Sequence, residues 1–256
     1  GKETLITSIN FIGNKKIKER RLRDIIASEE NKFWKVLSKN SKFNNNLVQL
    51  DKRLLLNYYR SLGYYNAKIT SSYANLNESS GIDLTYSIEA GKRYTVTKIL
   101  TDADPVFDKN LFFPLKKVYE KYIGEYYSPF DIKDILEEID NIIEKNNLQF
   151  VEHSVEENLN DSSGEVEITF KIYESEKILV ERINVLGNNV TNESVIRGEL
   201  LLDEGDPFTK LALDKSVSKL KARNIFLSVK SKVQDGSRNN LKTVDIIVEE
   251  KPTGEV

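Results

Sequence analysis

Few side chains in this sequence could carry out catalysis. There is one histidine, His153, and there is no cysteine, so the composition excludes a cysteine–histidine pair and a metal site built from several histidines. A serine–histidine–aspartate triad needs only one histidine, but no Gly-x-Ser-x-Gly segment is present to supply its serine. We therefore expect no catalytic residue and interpret His153 as a strand residue between Glu152 and Ser154.

The segment Asp203-Glu204-Gly205-Asp206 is the richest in possible metal ligands. Calcium prefers carboxylate oxygens, yet the twelve-residue spacing of a helix-loop-helix calcium site is absent here. Pro207, which follows directly, is typical of the beginning of a helix. We therefore expect no metal site and no cofactor.

The charge balance narrows the possible partners. Lysine and arginine number 38 against 40 aspartate and glutamate residues, which leaves a net charge of -2. No basic stripe dominates any segment, so we expect no nucleic-acid partner. No apolar run approaches the ~20 residues of a membrane-spanning helix, and neither a signal peptide nor a methionine is present. We interpret the sequence as a piece of a longer protein whose membrane anchor lies elsewhere.

A repeated hexapeptide indicates how the chain is organised. Ile9-Asn10-Phe11-Ile12-Gly13-Asn14 returns as Ile183-Asn184-Val185-Leu186-Gly187-Asn188, an interval that fits two copies of a unit of about 87 residues. In both places an alternating strand ends at a Gly-Asn turn. This period predicts three units, which we place at residues 1–91, 92–175 and 176–256.

Each unit has the same predicted order of elements, β-α-α-β-β. The long second helix of the first unit shows an apolar stripe at helical spacing, with Asn46 as its expected N-cap and Gly63 as its end. The third strand alternates apolar and polar residues from 82 to 89, which predicts one buried face. The second helices of the first and third units also share a polar pair at one spacing: Asp51 with Arg60, and Asp214 with Arg223.

This order, with a Gly-Asn turn after the first strand and a Gly-Tyr pair after the second helix, resembles the polypeptide-transport-associated (POTRA) domain. The matching turn residues are Gly13, Asn14, Gly63, Gly187 and Asn188. The resemblance implies an α+β fold of three tandem POTRA domains, each a three-stranded mixed sheet packed on two helices. Three segments depart from this pattern. Asp102-Ala103-Asp104 replaces the Gly-Asn turn in the middle unit, and the Gly-Tyr pair is replaced by Leu148-Gln149-Phe150 in the middle unit and Asn224-Ile225-Phe226 in the third.

Three segments more closely resemble the last three of the five POTRA domains in the proteins that assemble β-barrels in bacterial outer membranes. They are the aromatic insertion Asn31–Leu37, the helical segment Val195–Leu200 and the terminal segment Val248–Gly254. The resemblance implies a non-enzymatic scaffold on the periplasmic face of the outer membrane. The partners it implies are unfolded outer-membrane proteins, accessory lipoproteins and the protein's own C-terminal membrane barrel.

Members of this family bind clients by β-augmentation, in which a partner strand pairs with the open edge of a sheet. The resemblance implies that the second strand of each domain lies at that edge, and that the strand of the first unit is the usual site of addition. The expected client-binding residues are therefore Ala67, Lys68, Ile69, Thr70, Ser71, Ser72 and Tyr73. The alternative is an ordinary edge strand that is protected by polar side chains and binds nothing.

Glu199 resembles an acidic position by which the family holds a lipoprotein in the domain nearest the barrel. The alternative is a solvated residue on a short helix that pairs with Arg197 or Lys210.

Three other functions stay open at this point. The chain could be the POTRA region of a related translocation or secretion transporter, although two-partner secretion proteins usually carry two such domains. A polysaccharide-binding rod would need exposed aromatic residues recurring in every unit, and Trp34 has no counterpart in the other two. An enzyme would need a polar cluster shared between units, and the sequence offers none.

Overall fold

The computed structural model describes residues 4–31 and 42–252, which contain nine strands and six helices in the order β-α-α-β-β, three times over. The strands are β1 (Ile6–Asn14), β2 (Lys68–Leu76), β3 (Ile82–Glu89), β4 (Thr95–Ala103), β5 (Val151–Asn160), β6 (Glu165–Glu174), β7 (Leu179–Leu186), β8 (Phe226–Asp235) and β9 (Leu241–Glu250). The helices are α1 (Glu19–Ile25), α2 (Asn45–Ser61), α3 (Leu115–Glu120), α4 (Pro129–Lys145), α5 (Glu193–Arg197) and α6 (Lys210–Ala222). Residues 32–37 of the aromatic insertion, Trp34 included, lie outside the described residues, as does the end of the Val248–Gly254 segment.

The strands form three sheets with one topology, in the orders β1-β3-β2, β4-β6-β5 and β7-β9-β8. In the first sheet β1 runs parallel to β3 and β2 runs antiparallel to it. The third sheet repeats this arrangement with β7, β9 and β8. The third strand of each repeat is therefore central, and the first and second strands are the two edges. The predicted α+β fold with mixed three-stranded sheets is confirmed.

The described residues fall into two compact units. The first unit holds the residues up to 100 together with 114–138 and 157–168, and the second holds 101–113, 139–156 and the residues from 169 onward. The first and third sheets each lie within one unit, whereas elements of the middle repeat contribute to both. The domain boundaries at 91 and 175 stay a prediction.

Alternation along β3 builds the core of the first unit. Its inward-facing side chains are buried, as the sequence pattern predicts: Ile82, Leu84, Tyr86 and Ile88. Phe11 of β1 stacks on Tyr86 with ring centroids 5.9 Å apart. The apolar stripe of α2 completes this core with Val48, Leu55 and Tyr59. Full burial of each such side chain contributes about 1.5–3 kcal/mol to stability.

The third sheet is built in the same way within the second unit. The buried residues of its central strand β9 are Val244, Ile246 and Val248, and those of β7 are Val180 and Ile183. The helices contribute Ile196 from α5 and Leu213 and Leu220 from α6 to the same core. The same elements are buried in the first and third repeats. This is expected of a repeated unit, because in each repeat the helices cover one face of the sheet.

The N-cap of α2 differs from the prediction. Asn44, not Asn46, caps the helix: its backbone is extended at φ -149° and ψ 126°, and its side chain accepts a 2.7 Å hydrogen bond from the Asn46 N–H. Asn46 lies inside the first turn. A run of asparagines from 44 to 46 offers three caps of the same chemistry, and the backbone conformation decides between them.

The Gly-Asn turns at the ends of β1 and β7 explain why the hexapeptide is repeated. Gly13 and Gly187 have φ values of +89° and +88°. A Cβ at Gly13 would lie 2.4 Å from the Ile88 carbonyl oxygen, and at Gly187 it would lie 2.0 Å from that of Val248. Both positions therefore exclude a side chain. Asn14 closes β1, and the side chain of Asn188 donates a 3.1 Å hydrogen bond to the Thr191 carbonyl.

The second helices all end at a residue with positive φ, although only the first ends at glycine. Gly63 has φ +97°, and Asn147 and Asn224 have φ values of +50° and +59° at the equivalent places after α4 and α6. Asparagine tolerates this conformation better than other residues with a side chain. The two departures from the Gly-Tyr pattern therefore keep the same kind of turn.

Candidate functional site

The strand β2 forms one edge of the first sheet and contains most of the predicted binding residues. Lys68 to Tyr73 lie within it, whereas Ala67 lies one residue before it and is buried. Ile69 and Ala74 pack partly against the core. The side chains that stay exposed along the strand are Lys68, Thr70, Ser71, Tyr73, Asn75 and Leu76. Polar residues therefore dominate the accessible part of β2, as is common on protected edges.

The outer rim of β2 offers unpaired backbone groups. Its inner rim pairs with β3 from Lys68 to Leu76, with a register shift between Ile69 and Ser71 that leaves Thr70 without a Cα partner. Along 4–31 and 42–252, no backbone group of β2 forms a main-chain hydrogen bond other than those of this ladder. Such a row of free N–H and C=O groups can pair with an added strand.

The equivalent strand β8 has the same position in the third sheet. It pairs with β9 from Phe226 to Asp235 and is exposed from Lys230 onward. Leu227 and Val233 place apolar side chains in solvent at 57% and 40% exposure, and Lys230 and Lys232 place charges beside them. Lysine on an edge discourages indiscriminate pairing. We therefore regard β8 as a more strongly guarded edge than β2.

The opposite edges of the sheets are partly covered by the chain itself. Short antiparallel bridges join Leu5 to Lys42, Thr95 to Tyr126 and Leu179 to Pro207. Beside each bridge, a loop N–H donates to the first part of the strand: Asn31 to the Ile6 carbonyl, Gly124 to Val96 and Gly205 to Val180, each at 2.7 Å. The beginnings of β1, β4 and β7 are therefore closed to a partner.

The single histidine of the sequence, His153, contacts an aspartate that also pairs with a lysine. Its Nε2 lies 2.8 Å from Asp140 Oδ1, and Lys215 Nζ lies 2.6 Å from Asp140 Oδ2. Burial raises the pKa of Asp140, but the hydrogen bonds with His153 and Lys215 outweigh that effect and the pKa is lowered. An aspartate held ionised between two basic side chains is suited to joining α4, β5 and α6 within the second unit.

The acidic segment at 203–206 uses its carboxylates on the backbone. Glu204 Oε1 accepts from the Ile183 N–H at 3.1 Å, and Asp206 Oδ2 accepts from the Asp203 N–H at 2.8 Å. Among residues 4–31 and 42–252, no group of acidic and histidine side chains is arranged to hold a metal ion. Nor is any helix in that part of the chain long and apolar enough to cross a membrane.

Comparison with known proteins identifies the repeat. A family model described as "POTRA: Surface antigen variable number repeat" matches residues 4–91 and 178–251. The chain belongs to the POTRA family. The two matched segments contain the first and third sheets, including both Gly-Asn turns. The predicted resemblance to POTRA domains is therefore confirmed.

Two relatives of this POTRA chain carry the same name. An outer membrane protein assembly factor BamA from Neorickettsia risticii is 25% identical over 99% of the chain, which covers 34% of that protein. The Neisseria meningitidis serogroup B protein of the same name is 25% identical over 90% of the chain, which covers 29% of it. The chain thus spans about a third of the length of these curated relatives. The predicted resemblance to proteins that assemble β-barrels in the outer membrane is confirmed.

The POTRA fold is also seen in a solved structure of similar extent. The crystal structure of Haemophilus influenzae BamA POTRA3-5 superposes with a TM-score of 0.67 at 19% identity, and the match covers 97% of each chain. At this identity the similarity shows the fold. The chain therefore has the fold of consecutive POTRA domains.

Glu199, the predicted contact of the third POTRA domain, is paired in a way that the sequence did not indicate. Its carboxylate lies 2.5 Å from Arg223 Nη1 and 3.8 Å from Lys219 Nζ, both on or beside the end of α6. The expected pairing with Arg197 or Lys210 is wrong. Arg197 lies 2.7 Å from Glu193 instead, and the Lys210 N–H donates to Glu152.

The polar match between the second helices is also different from the prediction. Asp51 is buried and accepts hydrogen bonds from the Ala27 and Ser28 N–H groups at 2.7 and 3.0 Å, and from the Tyr86 hydroxyl. Asp214 is exposed. The counterpart of Asp51 is Ser216, whose buried hydroxyl accepts from the Leu201 N–H at 2.8 Å. Both side chains satisfy the backbone that leaves the first helix of their POTRA domain.

Proposed function

We propose that this chain is the periplasmic POTRA region of an outer-membrane β-barrel assembly protein, with domains at 1–91, 92–175 and 176–256. It is a scaffold that makes and breaks no covalent bond. It binds unfolded outer-membrane proteins and accessory lipoproteins on the periplasmic face of the membrane and delivers clients to a C-terminal barrel. The names of the curated relatives support this assignment, since each is an outer membrane protein assembly factor.

The observation that carries the proposal is the unpaired outer rim of β2. Backbone groups are common to every sequence, so pairing at this rim gives affinity while leaving little selectivity between clients. Among the exposed residues of β2, Thr70, Ser71 and Asn75 are short and polar and leave room for a partner's side chains. One added strand buries less than a stable protein interface, so we expect a Kd in the micromolar range or weaker.

Proline substitutions at Ser71 and Ser72 test this edge. Consecutive residues of a strand direct their N–H groups alternately to the neighbouring strand and to solvent. One of the two variants therefore removes a bond of the β2–β3 ladder, and the other removes a donor from the outer rim only. We expect one variant to keep the parent's folding and to bind client about tenfold more weakly, as loss of one backbone hydrogen bond implies.

The measurement is titration of the chain with a urea-unfolded outer-membrane β-barrel protein diluted into buffer, followed by fluorescence anisotropy. Ser71→Ala and Ser72→Ala are the matched controls, because each shortens the side chain and keeps the N–H. Circular dichroism identifies the proline variant that folds. If this variant binds as tightly as its alanine control, β2 is not the binding edge.

Glu199 is the residue that we propose for the lipoprotein contact. Its side chain is held by two cations at the end of α6 but stays 22% exposed, so a partner can still reach the carboxylate. Glu199→Gln keeps the shape and removes the charge. We expect it to reduce co-purification of lipoproteins from detergent-solubilised outer membranes, whereas Glu193→Gln on α5 should not. Equal recovery with both variants would exclude a role for the Glu199 charge.

A further inference from the structure

The first strand of the first repeat carries an unusual set of side-chain contacts on its outer rim. Glu30 Oε1 accepts a 3.1 Å hydrogen bond from the Ile9 N–H. Arg23 donates to the Ile9 carbonyl from Nη2 at 3.0 Å and from Nε at 3.2 Å. One carboxylate and one guanidinium thus occupy both main-chain groups of a single edge residue.

The same arrangement recurs in the third repeat. Glu204 Oε1 accepts from the Ile183 N–H at 3.1 Å, and Arg197 Nη2 donates to the Ile183 carbonyl at 2.8 Å. We call Arg23 with Glu30, and Arg197 with Glu204, the Arg–Glu clamps. These contacts occur on equivalent residues of two separate cores. They are therefore a feature of the repeat and not of one loop.

Each clamp is held in place by its own charges. Arg23 lies 3.5 Å from Glu30, and 3.1 Å from Glu19 one helical turn earlier. Arg197 lies 4.0 Å from Glu204 and 2.7 Å from Glu193. The arginine is therefore fixed between two carboxylates. The guanidinium also donates to a strand carbonyl, and charge-assisted bonds of this type are stronger than neutral ones.

The chemistry of the clamp copies that of a neighbouring strand. A partner strand would offer one C=O to the Ile9 N–H and one N–H to the Ile9 C=O. Glu30 and Arg23 supply the same acceptor and donor. The next carbonyl on this side, that of Phe11, accepts from Lys15 Nζ at 2.8 Å, and the loop before α2 covers the beginning of the strand. The rim of β1 is thus occupied along most of its length.

We propose that the Arg–Glu clamps close β1 and β7 against strand addition and thereby direct unfolded clients to the opposite edges of the same sheets. This inference rests on the proposed function. A clamp on the first strand explains why a sheet with two edges offers only one of them to a client. The clamp residues determine specificity, because they decide which edge of the sheet a client strand can pair with. They do not bind the client themselves.

The middle repeat provides a natural comparison within the first unit. Ile123 precedes Gly124 there, in the place that Glu30 and Glu204 occupy before Asn31 and Gly205. The equivalent position therefore carries no carboxylate, although Thr97 donates to the Val166 carbonyl just as Thr7 does to that of Ile82. Ile99 stands where Ile9 stands in β1. We expect the Ile99 amide to exchange with solvent at least tenfold faster than those of Ile9 and Ile183.

The test opens one clamp in the whole chain with Arg23→Ala and Glu30→Ala together, and the other with Arg197→Ala and Glu204→Ala. The second pair lies in a separate core, so one variant remains informative if the other fails to fold. Arg20→Ala on α1 and Lys221→Ala on α6 are the matched controls, because each removes an exposed charged side chain from the same repeat and leaves the clamp intact. The probe is a lysine-capped ten-residue peptide of alternating threonine and valine with a terminal nitroxide.

Amide hydrogen exchange and nitroxide broadening, both read by NMR, report the outcome. In the parent and in the controls we expect broadening at β2 and none at β1 or β7. In the clamp variants we expect at least tenfold faster exchange at Ile9 or Ile183, and new broadening on that strand.

The clamp proposal is wrong if the peptide does not bind the unclamped strand, or if it binds β1 and β7 of the parent. Binding at the unclamped strand with none at β2 in any chain would retain the clamp and contradict the proposed function.

Discussion

At the residue scale, the two Gly-Asn turns show why the same two residues occur in repeats that otherwise differ in sequence. Gly13 and Gly187 stand at nearly the same φ, and in each case a carbonyl of the central strand occupies the space of a Cβ. The strand can pass this close to its neighbour only without a side chain. Backbone geometry, and not a shared ligand, accounts for the repeated hexapeptide.

We expect Gly187→Ala to destabilise the third repeat more than Gly205→Ala. Both glycines have φ near +90°, but a Cβ at Gly205 meets nothing within 4 Å, whereas at Gly187 it meets the Val248 carbonyl at 2.0 Å. The conformational cost alone is about 1–2 kcal/mol, and the clash at Gly187 should add at least ~1 kcal/mol of strain. Urea unfolding of both variants measures the difference, and equal losses would contradict the steric explanation.

At the element scale, the sequence indicated the order and the faces of the elements and missed the contacts made at their ends. Alternation in β3 and the stripe of α2 follow from chain periodicity, so they could be recognised directly. The choice of Asn44 as the cap depends on one extended backbone conformation. The equivalence of Asp51 and Ser216 depends on which side of a helix meets the chain leaving its predecessor, and spacing along a single sequence does not contain that information.

The Arg–Glu clamps were missed for a related reason. Glu30 and Ile9 lie 21 residues apart, and the acidic segment around Glu204 invited comparison with a metal site instead. The recurrence of an arginine and a glutamate at the same distances from the repeated hexapeptide, in the first and third units, is the signal that could have revealed them.

The cap of α2 gives a direct test at this scale. We expect Asn44→Ala to lower the unfolding free energy by about 1 kcal/mol, because it removes the acceptor of the Asn46 N–H. Asn46→Ala keeps that N–H and should change stability by less than about 0.5 kcal/mol. Chemical denaturation of the two variants distinguishes the caps, and a larger loss for Asn46→Ala would restore the original assignment.

At the scale of the whole molecule, a tyrosine cluster joins elements of the first and second repeats within the first compact unit. The Tyr65 and Tyr127 rings meet edge to face at 4.8 Å. Their hydroxyls both donate to Glu157, that of Tyr127 at 2.9 Å. The Tyr94 hydroxyl donates to Asp161 beside them. Hydrogen bonds between these phenols and carboxylates therefore couple the two repeats within this unit.

This cluster should make the first unit sensitive to alkali. Burial, reinforced by the hydrogen bond to Glu157, raises the pKa of Tyr65 to about 12, against about 10 in an unfolded chain. The folded protein therefore holds the phenol proton more tightly, so this stabilisation is complete below pH ~10 and is lost as the pH rises to about 12. We expect Tyr65→Phe to flatten the fall of unfolding free energy over that range, as measured by urea denaturation, and the exposed Tyr73→Phe to leave it unchanged.

The most direct test of strand addition at the open edge is hydrogen exchange of every backbone amide with and without client. The client is a urea-unfolded outer-membrane β-barrel protein diluted into buffer with the chain. We expect slower exchange concentrated in β2, Lys68 to Leu76, with the amides of β1 and β7 unchanged. Protection confined to helix surfaces, or no protection along β2 at a concentration where the client is bound, would contradict strand addition at this edge.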